Sequence, residues 1–179
     1  FQGYGATETC GGVTMVRVTG EPPLDTIGTL MPEKEIRIAD PETMEELPLG
    51  STGELVVTSR LMIEAYWNKE DETRECFVEI DGKLWYKTGD LVRVDEQGYM
   101  YFVDRTADMI KHKGYRISAS EIEAAIKDHP AAISSCVVGV PDERVGERIK
   151  AFVVLKEDVR GITGNELIRW CKSRMTSYK

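Results

Sequence analysis

The stretch Asp104-Arg-Thr-Ala-Asp-Met-Ile-Lys-His-Lys-Gly-Tyr-Arg-Ile-Ser-Ala-Ser-Glu-Ile-Glu123 gathers cations around one glycine and then runs into an amphipathic helix. The cations are Arg105, Lys111, Lys113, Arg116 and, when protonated, His112; the glycine is Gly114. Ser118 and Glu121 have the spacing of a capping box, and Ile122, Ala125 and Ile126 give the helix that follows an apolar face. In a chain with an excess of acid, such a basic segment suits an anionic partner. The same residues also fit a plain solvated hairpin, in which Met109-Ile110 and Tyr115-Arg116-Ile117 flank a Lys-Gly turn and lysines protect an edge. Both readings stand on this stretch alone.

Downstream, Ile133 to Val140 reads as an apolar strand ending at Pro141-Asp142, and Arg148 to Leu155 as a second, with Gly139 to Gly146 between them. Thr163 and Glu166 repeat the capping-box spacing, and Leu167, Ile168, Cys171 and Met175 share one face of the next helix. His129, before Pro130 at a helix end, reads as a C-terminal cap. Helix, strand, strand, helix predicts a small α+β domain over 105–179, with the boundary near Asp104 to Asp108.

Upstream the signals are β. Ile36-Arg37-Ile38 and Glu54-Leu55-Val56-Val57 have strand length, with turn chemistry at Asp40-Pro41-Glu42 and Leu49-Gly50-Ser51. Asp81-Gly82 is a hairpin signal between Phe77-Val78-Glu79-Ile80 and Leu84-Trp85-Tyr86, and Gln97-Gly98 a weaker one before Tyr99 to Val103. Residues 68–74 fit one short helical turn. This regular spacing predicts a small distorted barrel or sandwich over 1–104. Within it, Thr88-Gly89-Asp90 forms a corner between two strands. It can aim Asp90 at a pair of vicinal hydroxyls or be an Asx turn bonding its own backbone.

The opening Gln2-Gly3-Tyr4-Gly5-Ala6-Thr7-Glu8-Thr9-Cys10-Gly11-Gly12 is a loop by composition. Its glycines let a backbone approach a ligand; Thr7 offers a hydroxyl, Glu8 a carboxylate for a hard cation, and Tyr4 a ring face. An ordinary glycine-rich turn fits equally.

With 179 residues the chain holds one sizeable domain or two small ones. A net charge of −8 argues against nonspecific nucleic-acid binding, and no apolar run approaches the length of a membrane span. Cys10, Cys76, Cys136 and Cys171 have neither zinc nor redox spacing, so reduced thiols in a cytoplasm are expected. The first residue is Phe1, and the chain reads as cut from something longer.

Three signals then coincide in order: Tyr4-Gly5-x-Thr7-Glu8, Tyr86-x-Thr88-Gly89-Asp90, and Asp104-Arg105 followed by Lys111, Gly114-Tyr115-Arg116. With Gly53-Glu54-Leu55 and Ala65-Tyr66-Trp67, they make the whole chain resemble the adenylate-forming superfamily of acyl-CoA synthetases, peptide-synthetase adenylation domains and luciferases. The segments Val137 to Asp142 and Lys150 to Leu155 look most like the acyl-CoA synthetase branch, near fatty-acid and aryl-acid ligases.

The resemblance implies an α+β fragment: a small distorted β-barrel ending the large N-terminal domain, then a small mobile C-terminal domain with a short sheet flanked by helices. It implies that Gln2, Gly3, Tyr4, Gly5, Ala6 and Thr7 line an ATP/AMP site, with Tyr4 stacked on the base, Thr7 at the transferred phosphate and Glu8 on Mg2+. Asp90 and Arg105 would bind the ribose. Lys111 matches a lysine used in thiol transfer; Lys113, Gly114, Tyr115, Arg116 and Arg144 would border CoA. The hinge position is Ala107, where Asp or Lys is usual; alanine can absorb a rotation but makes no polar contact. The implied function is activation of a carboxylic acid, in the medium- or long-chain fatty class, as an acyl-adenylate passed to CoA. A carrier-loading adenylation domain and a non-catalytic adenylate- or CoA-binding module are the alternatives. The family's phosphate loop would lie upstream and its adenylation lysine downstream, so the piece alone is expected to be inactive. Its acyl pocket would be touched here only by Thr9 to Gly12.

Overall fold

A computed structural model of the chain describes residues 2–17, 20–157, 159 and 161–176. It divides into two compact units, residues 1–106 and 107–179.

The first unit is built on one antiparallel sheet. Its strands are β1 (Gly3–Ala6), β2 (Gly11–Met15), β3 (Gly28–Leu30), β4 (Lys34–Ala39), β5 (Thr52–Ser59), β6 (Phe77–Ile80), β7 (Lys83–Val94) and β8 (Tyr99–Arg105), with helix α1 (Glu70–Cys76) before β6. The order is β1-β2-β3-β8-β7-β5-β4, with β6 also on β7. Among the described residues this path stays open, so the expected barrel is not closed. Lys34, which opens β4, reaches the β1–β2 turn through its side chain: its ammonium donates to the Thr9 carbonyl (2.6 Å) and to Ser59 Oγ (3.1 Å).

The apolar run in β5 reflects burial on both faces. Leu55 and Val57 join Val13, Ile27, Val92, Val94 and Met100 in one core, while Val56 turns to the other side against Ala39 and Trp85. The Asp81-Gly82 turn has positive φ at both residues (53° and 72°), the twist that suits a two-residue hairpin. Two expectations change. The opening segment is a β1–β2 hairpin, with Gly5 facing Gly12; a Cβ on Gly5 would lie 2.8 Å from the Gly11 carbonyl oxygen. And Thr88-Gly89-Asp90 does not separate two strands. β7 runs through it, and the β5–β7 register jumps from Glu54↔Leu91 to Val56↔Lys87, so the corner is a bulge within a continuous strand.

The second unit contains β9 (Met109–His112), β10 (Tyr115–Ser118), helix α2 (Ala119–Lys127), β11 (Ala132–Asp142), β12 (Gly146–Leu155) and helix α3 (Gly164–Lys172). Its sheet order is β10-β9-β12-β11. A 3-10 turn, Thr106–Asp108, precedes β9. Ser118 caps α2 by accepting the Glu121 N–H, and Thr163 and Glu166 cap α3 reciprocally. The sheet and α2 bury Ile110, Ile117, Ile122, Ile126 and Val137, with Cys171 and Met175 of the α3 region partly covered against them. His129 accepts the Ala131 N–H through Nδ1 (3.1 Å) and sets its ring edge-on to Trp170, so it closes the turn after α2. The four cysteines are free thiols. No helix among the described residues is long and apolar enough to cross a membrane.

Candidate functional site

The bulge in β7 fixes one carboxylate. Gly89 takes φ +71°, a conformation that favours glycine, and its N–H donates to Glu54 Oε1 (3.1 Å). Thr88 Oγ1 donates to the Leu55 carbonyl (2.8 Å) and accepts the Asp90 N–H (3.1 Å). Asp90, only 6% exposed, pairs in register with Arg105 on β8. Its Oδ1 accepts from Arg105 Nε (3.2 Å) and its Oδ2 from the Tyr4 hydroxyl (2.6 Å). Tyr4, Asp90 and Arg105, named separately from the sequence, thus meet at one carboxylate. Burial, reinforced by the Asp90 hydrogen bond, holds the Tyr4 hydroxyl well above the ordinary phenol range, so it stays a neutral donor. Burial also raises Glu54 above the usual carboxylate range, partly offset by the Gly89 N–H.

The β1–β2 turn carries Thr7 and Glu8. Thr9, fully buried, braces it: its hydroxyl lies 2.9 Å from the Ala6 carbonyl oxygen and 2.7 Å from that of Gly11. The Glu8 carbonyl accepts the Ile63 N–H (3.0 Å), and Glu8 Oε1 accepts the Tyr66 hydroxyl (2.6 Å). Tyr86 senses both acids: burial first, then Glu8, with a smaller part from Asp90, push its hydroxyl up to about 12. Gln2, Gly3, Gly5 and Thr7 are exposed, and Ala6 is half-buried. One carboxylate suits Mg2+, which keeps waters and takes its remaining ligands from phosphates. Among the described residues no cluster of three or more His, Cys, Asp or Glu side chains offers a metal cage.

In the second unit the basic stretch is a hairpin with Lys113 (φ 50°) and Gly114 (φ 79°) at its turn. Lys111, Lys113, Gly114, Tyr115 and Arg116 are exposed. The hairpin is moored to β12: the Lys111 N–H donates to Glu147 Oε2 (2.6 Å), His112 Nδ1 lies 2.7 Å from the Glu147 carbonyl oxygen, and the Lys113 N–H donates to the Val145 carbonyl (2.8 Å). Two glycines make room for this. A Cβ on Gly139 would meet the Glu147 carboxylate at 2.8 Å, and one on Gly146 the Lys111 carbonyl oxygen at 2.8 Å. Arg144 is exposed beside Val145, and Ala107 is exposed in the 3-10 turn.

Three residues that organise these groups were not singled out as site residues from sequence: Glu54, Tyr66 and Glu147. Glu54 left a trace, as an acid heading a run of buried apolar residues. Tyr66 entered only within the Ala65-Tyr66-Trp67 resemblance, with no role attached, and Glu147 left no trace; they act across 58 and 36 positions.

The first unit thus offers a braced carboxylate with two donors beside a glycine-rich hairpin, and the second a moored basic turn. Residues 1–67 match the family described as AMP-binding enzyme, and residues 121–179 its C-terminal domain. A probable 4-coumarate–CoA ligase of Dictyostelium discoideum is 36% identical over 99% of this chain and 31% of its own length. A mitochondrial medium-chain acyl-CoA ligase of Danio rerio is 37% identical over 99% of this chain and 29% of its own. ATP-bound MatB from Rhodopseudomonas palustris superposes with a TM-score of 0.86 at 30% identity, covering 99% of this chain and 34% of that one. The chain belongs to the adenylate-forming superfamily of AMP-binding enzymes. It spans about a third of the length of these curated relatives.

Proposed function

We propose that the chain is part of an AMP-forming acid–CoA ligase that activates a carboxylic acid, of the medium- or long-chain fatty or the aryl class, with ATP. The observation that carries this reading is the meeting of Tyr4, Asp90 and Arg105 at a single carboxylate. Asp90 uses one lone pair on each oxygen for these donors and keeps the others for the two hydroxyls of a ribose. The names of similar proteins, CoA ligases among them, support the same reading.

In the first half-reaction the acid's carboxylate attacks the α-phosphorus of ATP, and the bond to pyrophosphate breaks. Tyr4 would lie against the base, Gln2 to Ala6 along the nucleotide, and Thr7 would donate to the phosphate. Glu8 would hold Mg2+, which when bound offsets the charge on the phosphates. In the second half-reaction the CoA thiol attacks the acyl carbonyl and AMP leaves. Lys111 would serve this step, with Lys113, Gly114, Tyr115, Arg116 and Arg144 bordering CoA and its phosphates. Ala107 would be the hinge between the two steps, and residues 1–179 alone would not complete either.

The test is pyrophosphate release by the full-length protein with a panel of fatty and aryl acids. Release with at least one acid, followed by thioester formation with CoA, is expected; ATP binding without release for any acid overturns the reading.

A further inference from the structure

The Glu8 carboxylate is held by a residue that the ligase reading leaves without a role. Segment 63–73 grips Glu8 twice, once at its backbone carbonyl through the Ile63 N–H (3.0 Å) and once at Oε1 through the Tyr66 hydroxyl (2.6 Å). Tyr66 is itself fixed from behind. Its N–H donates to Thr73 Oγ1 (3.0 Å), and the Thr73 hydroxyl donates to the Lys69 carbonyl (2.6 Å). Its ring stands edge-on to Phe77 at 5.8 Å, and the buried Phe77 ring lies 5.4 Å from Tyr86. The ring is packed and the backbone tied, and the hydroxyl lies 2.6 Å from Glu8 Oε1.

A glutamate on a turn has three side-chain torsions to order before it can serve a ligand, and a fixed donor does that ordering in advance. Among the described residues, Oε1 carries the tyrosine bond and Oε2 carries none. We infer that Tyr66 is a positioning residue for Glu8, holding Oε1 so that Oε2 stays free for the divalent cation that accompanies ATP. The inference rests on the ligase reading and deepens it: Tyr66 acts on the nucleotide through Glu8, and removing the phenol oxygen weakens the magnesium-dependent part of nucleotide binding.

The test is calorimetric binding of ATP to the full-length protein, with magnesium and again with EDTA, for wild type, Tyr66→Phe, Glu8→Gln and the double variant. Wild type should bind ATP more tightly with magnesium. Tyr66→Phe should lose about tenfold of that advantage, the low end of a hydrogen bond to a charged group. The double variant should be no worse than Glu8→Gln, and binding in EDTA should be unchanged. Full magnesium advantage in Tyr66→Phe, or additive losses in the double variant, overturns the inference while leaving the ligase reading intact. No magnesium advantage in wild type overturns the metal role of Glu8 itself, which separates the two failures. Should Tyr66→Phe fail to fold, Glu8→Asp leaves the aromatic wall whole and draws the carboxylate out of the phenol's reach. The same loss is expected there, and wild-type magnesium dependence overturns the inference.

Discussion

The bulge at Thr88-Gly89-Asp90 and the hairpin turn at Lys113-Gly114 use the same backbone device for opposite ends. Each places a glycine at positive φ, +71° and +79°, and at neither would an added Cβ meet anything within 4 Å. Around Gly89, however, every polar group nearby is engaged: Glu54 on the amide, Thr88 on β5, and Asp90 between Tyr4 and Arg105. Around Gly114 the side chains face solvent, with Tyr115 52% exposed, and the anchoring lies one step back, at Lys111, His112 and Lys113. The first unit presents a preorganised acceptor, and the second presents a charged tip on a moored base. Around the first turn the dipoles are already aimed at one carboxylate; around the second it is the backbone that is fixed, through Lys111 and Lys113.

The contrast makes graded predictions. The largest effect is expected from Asp90→Ala in the full-length protein, which removes the acceptor shared by Tyr4 and Arg105. Loss of charged hydrogen bonds of about 3 kcal/mol should lower kcat/KM for ATP about a hundredfold. Pyrophosphate-release kinetics read this, and an unchanged Michaelis constant would erase the difference between the two turns.

Next comes Gly114→Leu. With open space around the Cβ, the fold should lose only the strain of a left-handed residue, about 1–2 kcal/mol. Thioester formation should fall at least about tenfold through obstruction beside the turn, on the ordinary scale of 1.4 kcal/mol per decade, while adenylate formation stays near wild type. Equal loss of both half-reactions, assayed separately, would make the second turn as rigidly coupled as the first.

Gly146→Ala attacks the mooring. Its Cβ would press on the Lys111 carbonyl oxygen, and its φ of +79° adds strain. A loss of about 2 kcal/mol should lower the melting temperature of the second unit by roughly 8–16 °C, with the first unit unmoved. Calorimetric scans would separate the two.

The smallest effect is a pH dependence. Burial raises the Glu54 carboxyl above its unfolded value, so the folded first unit binds more protons than the unfolded chain between the two. Its contribution is therefore full below the ordinary glutamate range and lost as pH rises through the elevated folded value. Glu54→Gln should flatten that decline in melting temperature against pH; an unchanged slope would show that the acceptor under Gly89 is not the titrating group.

Much of this was legible because it is local. The Asp81-Gly82 hairpin, the Ser118 and Thr163 caps and the apolar run of β5 are each set within a few residues, and each formed where its pattern lay. Strand pairing is not local. That Thr88 to Asp90 is a bulge depends on the register between Glu54 and Leu91, which no short window contains. The opening glycines looked like a loop because strand propensity scores side chains, whereas here their absence lets Gly5 lie against Gly11 and Gly12. The motif residues Tyr4, Asp90 and Arg105, which the structure brings together, were quoted from the sequence. The supports of Glu8 and Lys111, Tyr66 and Glu147, sit far off in sequence and use ordinary side chains in ordinary roles.

β5 and β7 each send side chains into both cores of the first unit: Leu55, Val57, Val92 and Val94 into one, Val56 and Trp85 into the other. Neither core can melt while the other stays ordered, because they share the same two backbones. The Asp90 corner sits midway along that shared pair, so its amides should exchange with solvent only on global opening, among the slowest in the protein.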